Sequence, residues 1–219
     1  MQSATELFKA LKISGWDNSS RDSWWWPNSG TYEVVISAIL TQNTSWGNVE
    51  KALNNLKQAD ILNLEKIANI PILTLQELIK PSGFYKAKSK NIQQLSINII
   101  EDFQNFEQFQ ESVSRDWLLS QKGIGQESAD AILNYACYKE TFVVDSYTAR
   151  LLEAFGYEFK AYEELQEWIV DSFYEGYREV YPNLSRAQAY ARAHGMVVEY
   201  CKVNKKGRVV SVEGLVVSG

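Results

Sequence analysis

A Gly-Ile-Gly turn at residues 123–125 is the feature that most constrains how this chain can fold. Gly123 and Gly125 permit backbone angles that side chains forbid, and they leave successive N–H groups pointing outward. Apolar residues follow the turn at helical spacing, at Ala129, Ile132, Leu133 and Ala136. A glycine turn in front of a helix N-terminus is a natural seat for a phosphate. The sequence therefore predicts that this turn and the helix N-terminus after it bind a phosphate through backbone N–H groups.

A carboxylate stands at a second predicted helix start, 20 residues past the turn (145 minus 125). The apolar run 142–144 buries the chain just before Asp145, and Tyr147, Leu151, Leu152 and Phe155 then recur at helical intervals. Read separately, the glycines could form an ordinary turn and Asp145 an ordinary N-cap, because Asp is a favoured cap. Their occurrence together, with compatible helices around them, favours a functional pair.

Helical periodicity extends along nearly the whole chain. The predicted helices lie around residues 7–11, 32–40, 49–56, 64–68, 75–79, 92–99, 106–118, 129–136, 147–155, 162–173 and 187–201. Only the last dozen residues have a strand-like period, and they could equally be disordered. The sequence therefore predicts a nearly all-helical fold, in one domain or in two smaller ones.

Three consecutive tryptophans occupy positions 24–26, directly before Pro27. They cannot all face one core from a helix, because neighbouring side chains point about 100° apart around the axis. At least one is therefore expected to be exposed or to line a cavity. The alternative is structural packing between two lobes of the molecule.

The net charge of −5 argues against a uniformly basic surface that wraps nucleic acid. DNA binding would have to use local clusters of basic residues, which are Lys86, Lys88 and Lys90, and then Lys202, Lys205, Lys206 and Arg208. Each cluster could equally be a solvated helix face or tail. The loop at 80–92 also offers Phe84 and Tyr85 beside its lysines, a combination that suits nucleic acid.

The cysteine and histidine content predicts neither a disulfide framework nor a metal site. Cys137 and Cys201 are too few for such a framework and lack metal-ligand spacing. His194, the single histidine, is predicted to be a packed core residue rather than a catalyst. No apolar run is long enough to span a bilayer and no signal-peptide pattern is present, so a reducing cytoplasm is the expected compartment.

The glycine turn followed by Asp145 resembles the helix-hairpin-helix motif and catalytic aspartate of the DNA glycosylase superfamily that includes endonuclease III. The segment SAILTQNTSW resembles the loop of these enzymes that inserts a glutamine into the duplex, here Gln42. The segment IKPSGFYKAKSKNI resembles their second wedge loop, which places Phe84 in that role. The hairpin residues that would contact DNA are Lys122, Gly123, Ile124 and Gly125. The similarity covers about residues 30–155.

The resemblance implies an all-α fold of two helical lobes, with DNA and the active site in the cleft between them. Residues 28–136 would form a six-helix lobe that includes the hairpin. Residues 1–27 and 137–219 would form the second lobe, which carries Asp145. The implied partner is damaged double-stranded DNA in the bacterial cytoplasm, with no membrane association, and we expect a monomer.

Two departures from endonuclease III limit the implied chemistry. That enzyme holds an iron-sulfur cluster with four cysteines near its C-terminus, and nothing comparable occurs there in this sequence, so we expect no metal and no cofactor. Relatives that cleave the strand place a lysine two residues after the second glycine, where this chain has Glu127. A carboxylate cannot form a Schiff base with the sugar, and Lys122 belongs to the phosphate-binding turn. The resemblance therefore implies a glycosylase without lyase activity.

The tryptophan segment, the TQNTSW segment and Glu127 together resemble the 3-methyladenine glycosylases of this superfamily. The base pocket implied by this likeness consists of Trp25 and Trp46 stacking on the flipped base, Trp26 and Pro27 as its wall, and Glu127 as a hydrogen-bond acceptor. Electron-rich indoles attract a cationic base by about 0.5 to 2 kcal/mol. An ionised Asp145 would stabilise the oxocarbenium-like sugar.

Met196 departs from this subgroup, in which a lysine is expected after the His-Gly pair. Two alternatives to an alkylpurine glycosylase therefore stay open. One is a glycosylase for a mismatched or oxidised base. The other is a noncatalytic helix-hairpin-helix DNA-binding protein, in which Asp145 is only a cap.

Overall fold

Helices form almost all of the regular structure in the computed structural model, which describes residues 1–17 and 22–215. They are α1 (Ala4–Ile13), α2 (Tyr32–Leu40), α3 (Trp46–Gln58), α4 (Leu64–Asn69), α5 (Ile72–Ile79), α6 (Tyr85–Phe103), α7 (Phe106–Ser112), α8 (Arg115–Ser120), α9 (Gln126–Ala131), α10 (Ser146–Ala154), α11 (Tyr162–Phe173), α12 (Tyr177–Val180) and α13 (Arg186–Val203). A 3₁₀ turn covers Lys80–Ser82, and a π-helical turn, Ile132–Ala136, continues α9. Two short strands, β1 (Lys205–Lys206) and β2 (Val209–Val210), pair antiparallel. The all-α prediction is confirmed.

The contacts within the chain divide it into two compact units. The terminal unit comprises Met1–Pro27 and Lys139–Gly219, and the central unit comprises Asn28–Tyr138. The lobe boundaries predicted from the sequence lie after residue 27 and after residue 136. The second observed boundary thus falls two residues later than the predicted one, just past the π-helical turn.

Four aromatic rings form the centre of the terminal unit's core. Phe8 of α1 packs edge-to-face on Phe173 of α11, with ring centroids 4.6 Å apart. Phe142 and Tyr190 complete the cluster, with ring centroids 5.8 Å apart, and all four side chains are buried. Truncating such a ring to alanine removes about 3 to 5 kcal/mol of stability. Because Phe142 lies three residues before Asp145, this core also fixes the segment that leads into α10.

The helix α2 is the innermost element of the central unit. Every residue of α2 except Glu33 is buried, so the helix is apolar all round rather than amphipathic. The hydroxyl of Tyr32 bonds Ser96 Oγ on α6, and burial raises the pKa of Tyr32. The neighbouring helix α3 is amphipathic and buries Val49, Ala52, Leu53 and Leu56. The helix α2 ends at Leu40, so its buried position fixes the start of the loop that contains Gln42.

The helix predicted over residues 106–118 is two helices, which corrects the sequence prediction. The first, α7, ends at Ser112, and α8 begins at Arg115. The break occurs because Ser114 Oγ accepts a hydrogen bond from Trp117 N at 3.1 Å and so starts a new helix. The central unit therefore contains eight helices, α2 to α9, whereas the resemblance implied six. The division into α7 and α8 accounts for one of the additional helices.

Candidate active site

Asp145 is the N-cap of α10 and is held by three hydrogen bonds. Its Oδ1 accepts from Tyr147 N at 3.0 Å, from Thr148 N at 2.8 Å and from Thr148 Oγ1 at 2.9 Å. The other carboxylate oxygen, Oδ2, lies 3.6 Å from His194 Nε2. The side chain is 13% exposed. One oxygen therefore fixes the carboxylate in place, and the other faces an imidazole.

The pKa of Asp145 is lowered by its surroundings. Burial would raise the pKa, but the imidazole of His194 and the hydrogen bonds from Thr148 outweigh burial. The imidazole of His194 is the largest of the influences that lower the pKa. Asp145 is therefore ionised at neutral pH, in the protonation state that stabilisation of a cationic sugar requires.

His194 is the site residue that the sequence interpretation missed. It is 3% exposed, as a packed core residue should be, and its ring packs edge-to-face on Phe142 with centroids 6.4 Å apart. The same ring, however, lies beside the carboxylate of Asp145 and beside the indole of Trp25, whose centroid is 5.3 Å away. No local pattern links positions 49 residues apart (194 minus 145), so this contact could not be predicted from the sequence.

The indole of Trp25 lies directly against the backbone of α13. A Cβ atom added to Gly195 would overlap Trp25 Cγ, so only glycine permits this approach. Trp25 has a positive φ of 70°, and its Nε1 donates to Glu199 Oε1 at 3.3 Å. The position of the indole is thus fixed by a turn, by a hydrogen bond and by the absence of a side chain at residue 195.

The remaining terminal-unit predictions concern Trp26, Pro27 and residue 196. Trp26 is buried and packs edge-to-face on Trp25, with centroids 6.1 Å apart. Pro27 is half-buried at the end of the same segment. Met196, where the resemblance leads one to expect lysine, is buried in the core. The terminal unit therefore brings Trp25, Trp26, His194 and Asp145 into one connected cluster.

The predicted phosphate-binding turn has the backbone shape that glycine allows. Gly123 has a φ of 83°, and a Cβ there would overlap the side chain of Asn91. Lys122, Gly123 and Gly125 are exposed. The side chain of Ile124 is buried, and its N–H donates to Gln121 O at 3.2 Å. Contact of this residue and its neighbours in the turn with DNA stays a prediction.

Gln42 lies in the loop after α2 and is attached to this turn. Its Nε2 donates to Gly123 O and to Ser128 Oγ, both at 2.9 Å. The predicted wedge loop and the hairpin are therefore joined within the central unit. Insertion of Gln42 into a duplex stays a prediction, and it would require this amide to exchange its partners.

Phe84 is the strongly exposed aromatic residue at the start of α6. Its side chain is 71% exposed, and its backbone is left-handed with a φ of 45°. Both features suit the predicted wedge. The basic cluster predicted beside it is partly wrong, because Lys88 is buried and donates to backbone carbonyls. Lys86 and Lys90 remain exposed, and they line a concave surface together with Lys122.

Trp46 and Glu127, the other predicted pocket residues, lie in the central unit. Trp46 is half-buried at the first position of α3. Glu127 is exposed in the first turn of α9, where a carboxylate interacts favourably with the helix dipole. Their roles in a base pocket stay predictions.

The residues present do not fit the four-thiolate cluster known from endonuclease III. Within residues 1–17 and 22–215, no group of three or more His, Cys, Asp or Glu residues could hold a metal ion. Burial raises the pKa of Cys201 to about 12, which disfavours the thiolate that would bind iron. Cys137 lies in the other unit.

Within residues 1–17 and 22–215, no helix is both long enough and apolar enough to cross a bilayer.

The helical fold, the glycine hairpin and the capped aspartate are the features of a helix-hairpin-helix DNA glycosylase. Residues 36–169 match the family described as HhH-GPD superfamily base excision DNA repair protein. This match covers more than half of the chain, and the chain belongs to that superfamily. The resemblance predicted from the sequence is confirmed.

The relatives narrow this class to DNA repair glycosylases. The chain is similar to the H. pylori 3-methyladenine DNA glycosylase MagIII, solved bound to 1,N6-ethenoadenine, with 45% identity, a TM-score of 0.88 and coverage of 93% of this chain and 99% of that chain. It is 42% identical over 186 residues to a Methanocaldococcus jannaschii protein that is named provisionally as a DNA repair glycosylase, covering 81% of this chain and 80% of the relative. A trapped endonuclease III–DNA covalent intermediate shares the fold, with a TM-score of 0.74 at 16% identity and coverage of 96% of this chain and 92% of that chain. The protein is thus a DNA glycosylase, and its partner is DNA.

Proposed function

We propose that this protein is a monofunctional glycosylase that removes alkylated purines, principally 3-methyladenine, from double-stranded DNA during base excision repair. The observation that carries the proposal is the chain of contacts from Trp25 through His194 to Asp145. It joins an aromatic ring suited to a cationic base to a carboxylate suited to a cationic sugar. The similarity to the H. pylori 3-methyladenine glycosylase supports the same substrate class.

The proposed reaction requires little acid catalysis, because an N3-alkylated adenine already carries positive charge. The bond between C1′ and the base breaks, its electron pair leaves with the base, and the base departs neutral. A water oxygen then bonds to C1′ and releases a proton, which leaves an abasic site. Asp145 stabilises the oxocarbenium-like sugar and orients the water, and its lowered pKa keeps it ionised for this role.

The extruded base is bound by stacking and by charge. Trp25 offers an indole face, and a cation over an indole gains about 0.5 to 2 kcal/mol. Stacking adds roughly 1 to 3 kcal/mol per base. We assign the second stacking surface to Trp46, and we assign a hydrogen bond to the base, or support of the pocket, to Glu127. Gln42 and Phe84 fill the space that the extruded nucleotide leaves in the duplex.

The proposal excludes strand cleavage by a Schiff base. Glu127 occupies the position at which strand-cleaving relatives have a lysine, and a carboxylate has no amine to form an imine. We further propose that the protein acts as a monomer in the cytoplasm, without an iron-sulfur cluster or another cofactor.

The test is to identify the bases that the purified protein releases from DNA. Duplex treated with dimethyl sulfate is incubated with the protein, and the free bases are separated by chromatography. We expect 3-methyladenine to be the main free base. From matched duplexes that contain an oxidised or mismatched base instead, we expect no base to be released. Release from the oxidised or mismatched duplexes alone would assign another lesion and refute the proposal.

The lyase prediction is tested on the same reactions. We expect the abasic product to stay unbroken until it is treated with alkali, and borohydride to trap no covalent protein–DNA adduct. A strand-cleaving glycosylase assayed in parallel shows that trapping works under these conditions. A trapped adduct of this protein would contradict the proposal that it has no lyase activity.

A further inference from the structure

One charged side chain of the central unit is buried beneath the two loops that are predicted to enter the duplex. Lys88 lies in the first turn of α6 and is 4% exposed. Its Nζ donates to Leu40 O and to Ser82 O, each at 2.8 Å. Burial lowers the pKa of Lys88 to about 8. An apolar side chain could fill such a space without desolvating a charge, so the two hydrogen bonds are the feature to explain.

Each carbonyl that Lys88 binds lies two residues before a predicted wedge. Leu40 is the last residue of α2 and precedes Gln42 (42 minus 40). Ser82 ends the 3₁₀ turn and precedes Phe84 (84 minus 82). The backbone N–H of Lys88 also donates to Phe84 O at 3.0 Å. One residue therefore holds the Phe84 loop at two points and the Gln42 loop at a third.

The Phe84 loop depends on such backbone contacts for its shape. Gly83 and Phe84 both have positive φ values, 67° and 45°. The second is an unfavourable conformation for a residue with a side chain, and it persists only where surrounding structure imposes it. Because the ring itself is largely exposed, packing of the ring does little to impose this conformation. The bond from Lys88 to Ser82 O is placed to do so.

These bonds connect all three predicted DNA-contacting segments of the central unit. Gln42 donates to Gly123 O in the hairpin, and Lys88 links the Gln42 loop to the Phe84 loop. The ammonium group of Lys88 thus bonds directly to the backbone of both loops. Neither loop is tied to the other by chain continuity, since α3, α4 and α5 lie between them in sequence.

We propose that Lys88 is a positioning residue that holds the loops of Gln42 and Phe84 at a fixed separation, so that both side chains enter the duplex together. This inference rests on the proposed function, because it takes both residues to act as wedges during nucleotide extrusion. Lys88 itself touches neither the base nor the sugar in this scheme.

The test compares two variants of α6 that each remove a bond from a side chain to the backbone. Lys88→Met keeps the apolar stem and removes the donor. Gln93→Leu is the matched control, because Gln93 Nε2 donates to Ile70 O at 2.7 Å and so links α6 to the end of α4, away from both wedge loops. If Lys88→Met does not fold, Lys88→Gln replaces it, since it keeps an amide donor on a shorter stem.

Hydrogen exchange tests the link between the loops without any DNA. We expect the backbone amides of residues 41–44 and 83–86 to exchange faster together in Lys88→Met and to be unchanged in Gln93→Leu. Faster exchange in only one of the two loops, or equal changes in both variants, would overturn the proposal.

Fluorescence and kinetics test the consequence for extrusion. The probe is a duplex that carries 2-aminopurine opposite a tetrahydrofuran abasic site. The fluorescence of 2-aminopurine rises when Gln42 and Phe84 enter the duplex and unstack it. At saturating protein we expect a smaller rise with Lys88→Met than with Gln93→Leu. Single-turnover release of 3-methyladenine from methylated duplex should slow about 10-fold in Lys88→Met at saturation, because loosened loops no longer fix the extruded nucleotide.

The two proposals fail in distinguishable ways. If the wild-type protein releases no alkylated base, the proposed substrate is wrong, and the exchange and fluorescence measurements still decide the role of Lys88. If the wild type releases 3-methyladenine and Lys88→Met matches Gln93→Leu in every measurement, the proposed function stands and the role of Lys88 is refuted.

Discussion

Two helices of this protein, α9 and α10, begin in opposite ways. The helix α9 follows Gly125, which has no side chain and therefore contributes no acceptor to the first turn. The helix α10 follows Asp145, whose Oδ1 accepts three hydrogen bonds from that turn. Both helix N-termini attract negative charge, because their dipoles leave partial positive charge there. Only α10 has an anion as its cap, since the carboxylate in the first turn of α9, Glu127, belongs to an exposed side chain past the cap position.

The difference in cap residue suits α9 to binding DNA and α10 to holding a catalytic carboxylate. A helix start without an acidic cap suits an anion from outside, and at α9 the predicted anion is a DNA phosphate. A helix start with an acidic cap holds that carboxylate ionised and in one orientation, which is what α10 does for Asp145. The same electrostatic property of a helix thus serves two roles, and the cap residue selects between them.

The largest predicted effect comes from removing the charge at α10 while keeping the cap. Asparagine is a comparably good N-cap, so Asp145→Asn should stay folded under the assay conditions and lose only the modest stability that the charge of Asp145 contributes. Base release should nevertheless fall about 10²- to 10³-fold, because the cationic sugar loses its counter-charge. Single-turnover release from methylated duplex measures the effect, and binding to abasic duplex is the control and should persist. Unchanged release would exclude the catalytic role proposed for Asp145, and absence of release from the wild type as well would favour the noncatalytic DNA-binding alternative.

Local patterns in the sequence predicted most of the fold. The helix α2 matches its predicted range of 32–40, because apolar spacing and a polar loop mark both of its ends. The break at Ser114 was missed because a serine cap interrupts the periodicity less visibly than glycine or proline does. The division into two lobes came from the family resemblance, since periodicity is blind to which helices pack together.

The candidate site was predictable only where its residues form a local motif. Asp145, Gly123 and Trp25 each stand in a recognisable short segment. His194 and Lys88 act through contacts with residues far away in sequence, and such contacts leave no local trace. Lys88 was moreover assigned to an exposed basic cluster, because lysine is rarely buried unless its charge finds acceptors. Here two backbone carbonyls provide them.

A second prediction displaces the indole of Trp25, which packs on His194, and leaves the cap of α10 intact. Gly195→Ala places a methyl group 2.3 Å from Trp25 Cγ, so the indole must move. We expect release of 3-methyladenine to fall roughly 10- to 100-fold, since misplacing a positioning group by about 1 Å can have effects of this size. Binding of undamaged duplex should change little.

The control for that variant is Gly47→Ala in α3, where an added Cβ meets nothing within 4 Å. Alanine is the better helix former by about 1 kcal/mol, so this change should be neutral or slightly stabilising. If Gly195→Ala releases base as fast as the wild type does, the indole need not occupy its observed position.

A third prediction makes α9 begin like α10. Gly125 has a negative φ and open space at its Cβ position, so a side chain fits there without strain. Gly125→Asp would bring an anion to the predicted phosphate site, and Gly125→Asn would bring the same shape without charge. We expect the dissociation constant for abasic duplex to be about 10-fold higher for the Asp variant than for the Asn variant, because like charges would meet. Equal affinities across a salt series would show that α9 does not face a phosphate.

The smallest predicted effect is a pH dependence of stability that only α10 should show. A carboxyl group with a lowered folded pKa contributes stability that is fully present above its unfolded pKa of about 3.9, and this contribution is lost as the pH falls through the lower folded pKa. The difference in unfolding free energy between the wild type and Asp145→Asn should therefore be constant near neutral pH and should shrink below about pH 3.9. Urea unfolding at pH 3 to 7 measures it. Thr148→Val removes one hydrogen bond that lowers the folded pKa, so in its background the pH-dependent part of the difference should be smaller and its loss should be complete at a higher pH. A difference that is constant down to pH 3 in both backgrounds would mean that the cap of α10 does not depend on its charge.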